Sequence, residues 1–266
     1  MLPHTGRRLS LLLFAAVAGL FASVAVPAEE SAAAAPGNNE PIRVLFLGNS
    51  YTYQNNLPAM VERLSSAGGT RPSLITLMVA SGGATLERHA SNPMTLKRIY
   101  SGEWDWVVLQ EQSVRPVRNP DRMRRWARAL NAKIEEAPSS PRTLLFMTWS
   151  RRDRPEMLRP LSEVYRTLAL EIDAEVAPVG EAWHRVLLDE SRPIALHAAD
   201  GSHPSRLGSY LSACVIWSKI YGRSPVGLPP LGLDPEVARR LQVAAEASVD
   251  LPVTAPGPEG AAAPAR

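Results

Sequence analysis

Apolar residues along the chain alternate between two rhythms: short unbroken runs, and stretches in which they recur every three or four positions. Val44-Leu45-Phe46-Leu47 is an unbroken run that stops at Gly48-Asn49-Ser50. Such a run suits a central strand of a parallel sheet, where both faces are covered and the alternation of apolar and polar residues is lost. Comparable runs occupy Leu74–Ala80, Trp106–Leu109, 144–148 and 174–179. Between them, helical spacing links Leu57, Met60, Val61 and Leu64, then Met123, Trp126, Leu130 and Ile134, then Leu161, Val164, Tyr165, Leu168 and Ile172. Shorter helical stretches run through Leu86, Met94, Leu96 and Ile99 and around Trp183 and Val186, and a last helix covers 237–249. Helix signals agree with these spans: Gly68-Gly69 and Gly222 as stops, Asn119-Pro120 and Ser205 as starts. The helix opened by Ser205 presents Leu207, Tyr210, Leu211, Cys214 and Trp217. Five strand–helix alternations predict a parallel sheet with helices on both faces, and periodicity leaves the strand order open.

Ligands of open parallel sheets bind beyond the carboxyl ends of the strands, so polar groups that directly follow the runs are the candidates for chemistry. Ser50, after the first run, either caps the helix that follows or acts as a nucleophile. The segment Asp200-Gly201-Ser202-His203-Pro204-Ser205 favours the nucleophile, because it supplies a carboxylate and an imidazole three residues apart, in a loop pinned by a capped helix. Ser81-Gly82-Gly83 ends the second run, and glycines there let the backbone approach a ligand and turn amide groups toward it. Gln110, Glu111, Gln112 and Ser113 follow the third run, where amide side chains can donate hydrogen bonds. Trp149, after the fourth, either stacks on a sugar ring or packs in the core. Arg118, Arg122, Arg124, Arg125 and Arg128 form either a solvated helix face or a rim that attracts anionic substrates. His89, His184 and His197 lack metal-ligand spacing, and there is no Gly-x-Ser-x-Gly elbow, Walker loop, dinucleotide fingerprint or His-Glu-x-x-His.

Taken in order, Gly48-Asn49-Ser50, Ser81-Gly82-Gly83 and Asp200-x-x-His203 resemble the SGNH (GDSL-like) serine hydrolases, over roughly residues 41 to 222. Leu109-Gln110-Glu111-Gln112-Ser113 is similar to the third block of an uncharacterised bacterial branch of that family. The resemblance implies a three-layer α/β/α fold with a flavodoxin-like five-stranded parallel sheet of order 2-1-3-4-5. It also implies Ser50 as nucleophile, His203 as base and Asp200 as its orienting acid. The oxyanion hole would come from the Ser50 and Gly83 amides and the side chain of Gln110 or Gln112, with Asn49, Gly82 and Trp149 contacting substrate. Two positions depart from the family pattern. Gly-Asp-Ser-Leu is replaced by Gly48-Asn49-Ser50-Tyr51, and the third block's asparagine has no counterpart except Gln110 or Gln112. The implied activity is hydrolysis of short-chain acyl esters, above all acetyl esters on a carbohydrate, through an acyl-serine and without cofactor or metal. A lipid or thioester hydrolase, and a carbohydrate-binding protein with weak catalysis, are the alternatives.

Composition adds boundaries. With 45% hydrophobic and 21% charged residues, 266 positions are enough for one large α/β domain, read as 41–250. Arg7-Arg8 precede an uncharged apolar run over 11–26, and Val26-Pro27-Ala28 offers small residues for cleavage, so 1–28 reads as a secretory signal and the protein as periplasmic or extracellular. An uncleaved anchor is the alternative, although 16 residues is short for a span. Residues 29–40 read as a flexible linker and 251–266 as a disordered tail. Cleavage after Ala28 removes two arginines and no acid, which lowers the formal charge from +3 to +1 and leaves no call for a nucleic-acid partner or stable membrane insertion. Cys214, the only cysteine, excludes an intrachain disulfide and reads as a buried, inert thiol.

Overall fold

The structure is a computed structural model that describes residues 40–249; the expected signal segment, nearly all of the linker, and the tail lie outside them. Five strands, β1 (Ile42–Gly48), β2 (Leu74–Ala80), β3 (Trp106–Leu109), β4 (Arg142–Phe146) and β5 (Glu175–Ala177), pair in the order β2-β1-β3-β4-β5. All four pairings are parallel. The unbroken run in β1 has a direct cause. Val44 and Phe46 enter one core, Leu45 and Leu47 the other, and all four are buried.

The helices are α1 (Ser50–Tyr53), α2 (Leu57–Ala67), α3 (Leu86–Ala90), α4 (Pro93–Ser101), α5 (Arg115–Arg118), α6 (Pro120–Glu135), α7 (Leu158–Glu171), α8 (Val179–Leu187), α9 (Arg206–Tyr221) and α10 (Pro235–Glu246). Helices α2, α8, α9 and α10 cover the Val44 face of the sheet, and α3, α4, α6 and α7 cover the other. The structure departs from the sequence expectation in four places. The stretch through Leu86 and Ile99 is two helices, because Asn92-Pro93 starts a new one: Asn92 Oδ1 accepts the Met94 amide at 2.9 Å. β4 and β5 end before the expected 148 and 179. There Met147 leaves the ladder while its amide still reaches Ala177 O at 3.1 Å, and its carbonyl accepts from Gly180 N at 3.2 Å. The last helix begins at Pro235, two residues before the first expected apolar position, where Asp234 Oδ1 accepts the Glu236 and Val237 amides at 3.0 Å each. Finally, α9 is buried around most of its circumference rather than along one stripe, because α2, α8 and α10 surround it. Cys214 lies inside it, fully buried and unpaired with any other cysteine. Among the described residues no helix is long and apolar enough to cross a membrane.

Candidate active site

The carboxyl end of β1 is a tightly specified turn. A Cβ on Gly48 would lie 2.2 Å from Thr52 Oγ1 and 2.7 Å from Gln110 Oε1, so the close approach requires glycine. Asn49, not Ser50, caps α1: its Oδ1 accepts the Tyr51 amide at 3.0 Å, while its Nδ2 donates to Ala84 O at 2.9 Å. Ser50 is thereby released from capping, and its Oγ lies 2.8 Å from His203 Nε2. His203 Nδ1 lies 2.5 Å from Asp200 Oδ2. One tautomer satisfies both contacts: Nδ1–H donates to the carboxylate and the Nε2 lone pair accepts the serine O–H. Asp200 Oδ1 also accepts the Ser202 and His203 amides at 3.0 Å each. The His203 hydrogen bond, helped by these amides, holds the Asp200 carboxyl far below the usual carboxylate range, so it is ionised at any working pH.

The loop carrying this pair is fastened on both sides. Ser205 Oγ caps α9 by accepting the Gly208 amide at 3.2 Å, and Ser205 N donates to Leu196 O at 2.8 Å. Arg152 donates its amide to Gly201 O at 2.9 Å and its Nη2 to Ala198 O at 2.6 Å. Gly201 sits at φ 68°, a left-handed turn that favours glycine. A mostly apolar cavity of about 570 Å³ is lined by Trp149, Arg151, Trp183, Leu187, Ile194 and Leu196, among others; Ser50 is not among its walls.

The Ser50 and Gly83 amides donate to no protein acceptor among the described residues. Gly83 has φ 64°, and a Cβ there would meet nothing within 4 Å, so its surroundings are open. Gly82 is nearly as open, with only Tyr53 Oη at 3.6 Å from such a Cβ. The Gly82-Gly83 turn is tied to the serine turn through Asn49 Nδ2, which makes Asn49 a brace.

The expected amide side-chain donors are placed differently. Gln110 is fully buried; its Oε1 accepts from Asn49 N at 2.9 Å and Thr52 Oγ1 at 2.8 Å, and its Nε2 donates to Glu111 O at 2.5 Å. One of its amide hydrogens is thus engaged by the Glu111 carbonyl, and the buried Asn49 N–H requires the oxygen end to face the serine turn. Gln112 Oε1 accepts the Val114 and Arg115 amides at 3.0 and 3.1 Å, and its Nε2 reaches Ser113 Oγ at 3.4 Å. It anchors the start of α5. Between them, Glu111 is fully buried, and its Oε1 accepts Leu86 N at 3.3 Å and Gln112 N at 2.6 Å. Burial pushes its carboxyl up to about 7.

Trp149 cannot stack on a sugar. It is 1% exposed, and both ring faces are covered: Tyr51 lies parallel at 4.4 Å between centroids and Trp183 at 3.9 Å. Its Nε1 donates to Ser202 O at 3.0 Å, so it holds the acid–base loop from beneath. The arginines of α6 are mostly neutralised, Arg122 by Glu87, Arg124 by Asp121 and Arg128 by Glu171, as befits a solvated helix face. His197 packs edge-on to Trp183 and bonds Ser150 O at 2.9 Å; burial lowers its pKa, so it is neutral. Sequence reading did not single out Thr52, Ser202 or His89. His89 donates from Nε2 to Gly48 O at 2.9 Å, behind the serine turn, and burial keeps it neutral as well. Among the described residues no cluster of His, Cys, Asp and Glu is arranged to hold a metal.

No family model and no curated protein matches the chain. Solved structures do. A Slackia heliotrinireducens protein assigned to the SGNH hydrolases superposes with a TM-score of 0.59 and 26% identity, covering 68% of this chain and 100% of its own. The fold is that of the SGNH hydrolases. A DUF4886-family protein from Bacteroides uniformis superposes at TM-score 0.67 and 20% identity, over 78% of this chain and 94% of the other. An acetyl xylan esterase superposes at 0.51 with 16% identity, over 67% and 100%. In this chain the Gln110 oxygen supports the serine turn from behind.

Proposed function

We propose that the protein is a serine esterase in which Ser50 is acylated, His203 is its base and Asp200 orients His203. The observation that carries this reading is the continuous chain Ser50 Oγ, His203 Nε2, His203 Nδ1, Asp200 Oδ2, with links of 2.8 and 2.5 Å. A serine hydroxyl attacks an ester carbonyl only when a base removes its proton, and neutral imidazole does this near neutral pH. Attack forms the serine–carbon bond as the carbonyl π pair moves to oxygen, where the Ser50 and Gly83 amides receive the charge. His203, now protonated and stabilised by Asp200, passes the proton to the departing alcohol; water then repeats the sequence on the acyl-serine. The preferred substrates are short acyl, chiefly acetyl, esters on a carbohydrate alcohol, and the protein acts outside the cytoplasm after removal of 1–28. An acetyl xylan esterase of the same fold supports the acyl class, and the amino-terminal pattern supports export. The test is hydrolysis of para-nitrophenyl acetate together with organophosphonate labelling. Ser50→Ala should abolish labelling and lower turnover by roughly 10⁴ or more. A parent protein inert on a broad acyl panel, or labelling that survives the substitution, sinks the assignment.

A further inference from the structure

Beside the candidate triad, the ends of β3 and β4 bring together Gln112, Ser113 and Arg151. Arg151 is half-buried, and its Nη2 donates to Ser113 Oγ at 3.3 Å, the same hydroxyl that Gln112 Nε2 approaches at 3.4 Å. Ser113 and the Arg151 charge both act on the Tyr51 hydroxyl, which is 2.7 Å from Ser202 Oγ, next to His203. Most of the guanidinium's hydrogen-bonding capacity is unused. Its Nε is enclosed without an acceptor, its Nη1 has no protein partner, and no carboxylate among the described residues lies within ion-pair distance. Its neighbours differ: Arg115 and Arg122 share Glu87, and Arg152 is occupied by the carbonyls of His197 and Ala198. A partly desolvated guanidinium that lacks a carboxylate is costly to keep unless something supplies one, and its planar fork matches a carboxylate best.

The direction of the reaction says which part of a substrate passes this group. The carbonyl oxygen must face the Ser50 and Gly83 amides, toward β2, whereas the leaving oxygen must face His203 Nε2, which returns the proton to it. The alcohol portion therefore leaves on the His203 side, beside Ser202, whose Oγ meets the Tyr51 hydroxyl on which Ser113 and the Arg151 charge act. We propose that Arg151, with Gln112 and Ser113, forms an anion subsite for the alcohol portion, and that the natural substrate is an acyl ester whose alcohol carries a carboxylate, as in an O-acylated acidic sugar. This rests on the serine-esterase reading and adds the substrate's charge to it.

The experiment compares para-acetoxybenzoate with its neutral counterpart, methyl para-acetoxybenzoate, in the wild type and in Arg151→Gln. The ratio of kcat/KM for the anionic over the neutral ester should fall at least about tenfold in the variant, with the change mainly in KM, because a charge-assisted pair is lost. The wild-type ratio should also decline as salt is raised. Arg151→Lys should give an intermediate ratio, since it keeps the charge without the fork. As a check that needs no variant, benzoate should inhibit the wild type more strongly than benzamide does, with a salt-dependent constant. If Arg151→Gln slows both esters equally, or benzoate and benzamide inhibit alike, Arg151 only braces Ser113 and the proposal is overturned. Hydrolysis of para-nitrophenyl acetate separates the two levels. If it proceeds while the ratio stays put, only the anion subsite falls; if no ester is turned over, the esterase reading falls and the subsite with it.

Discussion

Gln110 illustrates how far a residue's type can be separated from its role. Its position after a buried strand marked it as important, but the choice between donating to substrate and accepting from the backbone depends on where the Asn49 N–H points, which pattern does not encode. In the structure two hydrogen bonds converge on its oxygen behind the serine turn. Gln110→Leu should leave the Asn49 amide without an acceptor. That costs on the order of 1–3 kcal/mol of stability and, by loosening Ser50, lowers kcat more than it raises KM. Gln112→Ala should chiefly weaken the start of α5. Urea unfolding and steady-state kinetics on one ester compare them, and a Gln110→Leu protein of unchanged stability and turnover would contradict this role. The contact of Ser50 with His203 and Asp200, by contrast, was legible because Asp200, Gly201 and His203 are a local signature whose capped helix, opened by Ser205, was visible nearby. Thr52, Ser202 and His89 were not legible, since each acts through a contact with a distant segment that no spacing reveals.

Among the elements, the turn after β2 and the loop after β3 are joined by one carboxyl. Glu111 Oε1 holds the Leu86 amide on one side and the Gln112 amide on the other, so the Gly83 region and the third block are mutually positioned. Burial raises its folded pKa from the ordinary 4.5 to about 7, against the smaller opposing pull of the two amides and Arg115. The sign follows from linkage. Between pH 4.5 and about 7 the folded protein binds a proton that the unfolded chain has released, so stability falls as pH rises through that window and then levels off. The contribution is about 3 kcal/mol for a shift of this size. Glu111→Gln keeps an acceptor oxygen but cannot ionise, and should flatten this part of the profile and gain relative to wild type above pH 7. Urea melts of both proteins from pH 4.5 to 8 measure it, and parallel profiles would show that Glu111 does not titrate there. The Asp200–His203 loop makes the complementary case. On the proposed reading the two groups act as one unit, so Asp200→Asn and His203→Ala should each cost turnover by a similar large factor, and the double variant should be little worse than either. Additive losses would argue that they work separately.

Across the whole molecule, site and core are continuous through the stack Tyr51, Trp149, Trp183, whose last member meets His197 edge-on. Layer order, strand positions and the covering of both sheet faces were legible because unbroken apolar runs and helical spacing report burial directly. Trp149 was ambiguous because a large apolar residue at a strand end serves a core and a binding surface equally well in sequence. Its surroundings in the structure make the two roles distinguishable by experiment. A buried tryptophan sandwiched between rings, with its Nε1 supporting Ser202 O, should lower stability by about 3–5 kcal/mol when replaced by alanine, through lost burial and the cavity left behind. Trp149→Phe should lose less, because part of the stack survives. In both variants turnover should fall along with stability, as the acid–base loop loses support, and the loss should be similar for para-nitrophenyl acetate and for an acetylated sugar. A substrate-stacking tryptophan would behave otherwise, raising KM for the sugar ester alone and leaving the melting temperature almost unchanged. Thermal unfolding combined with kinetics on the two esters therefore decides whether Trp149 belongs to the fold or to the substrate, and the covered ring faces predict the fold.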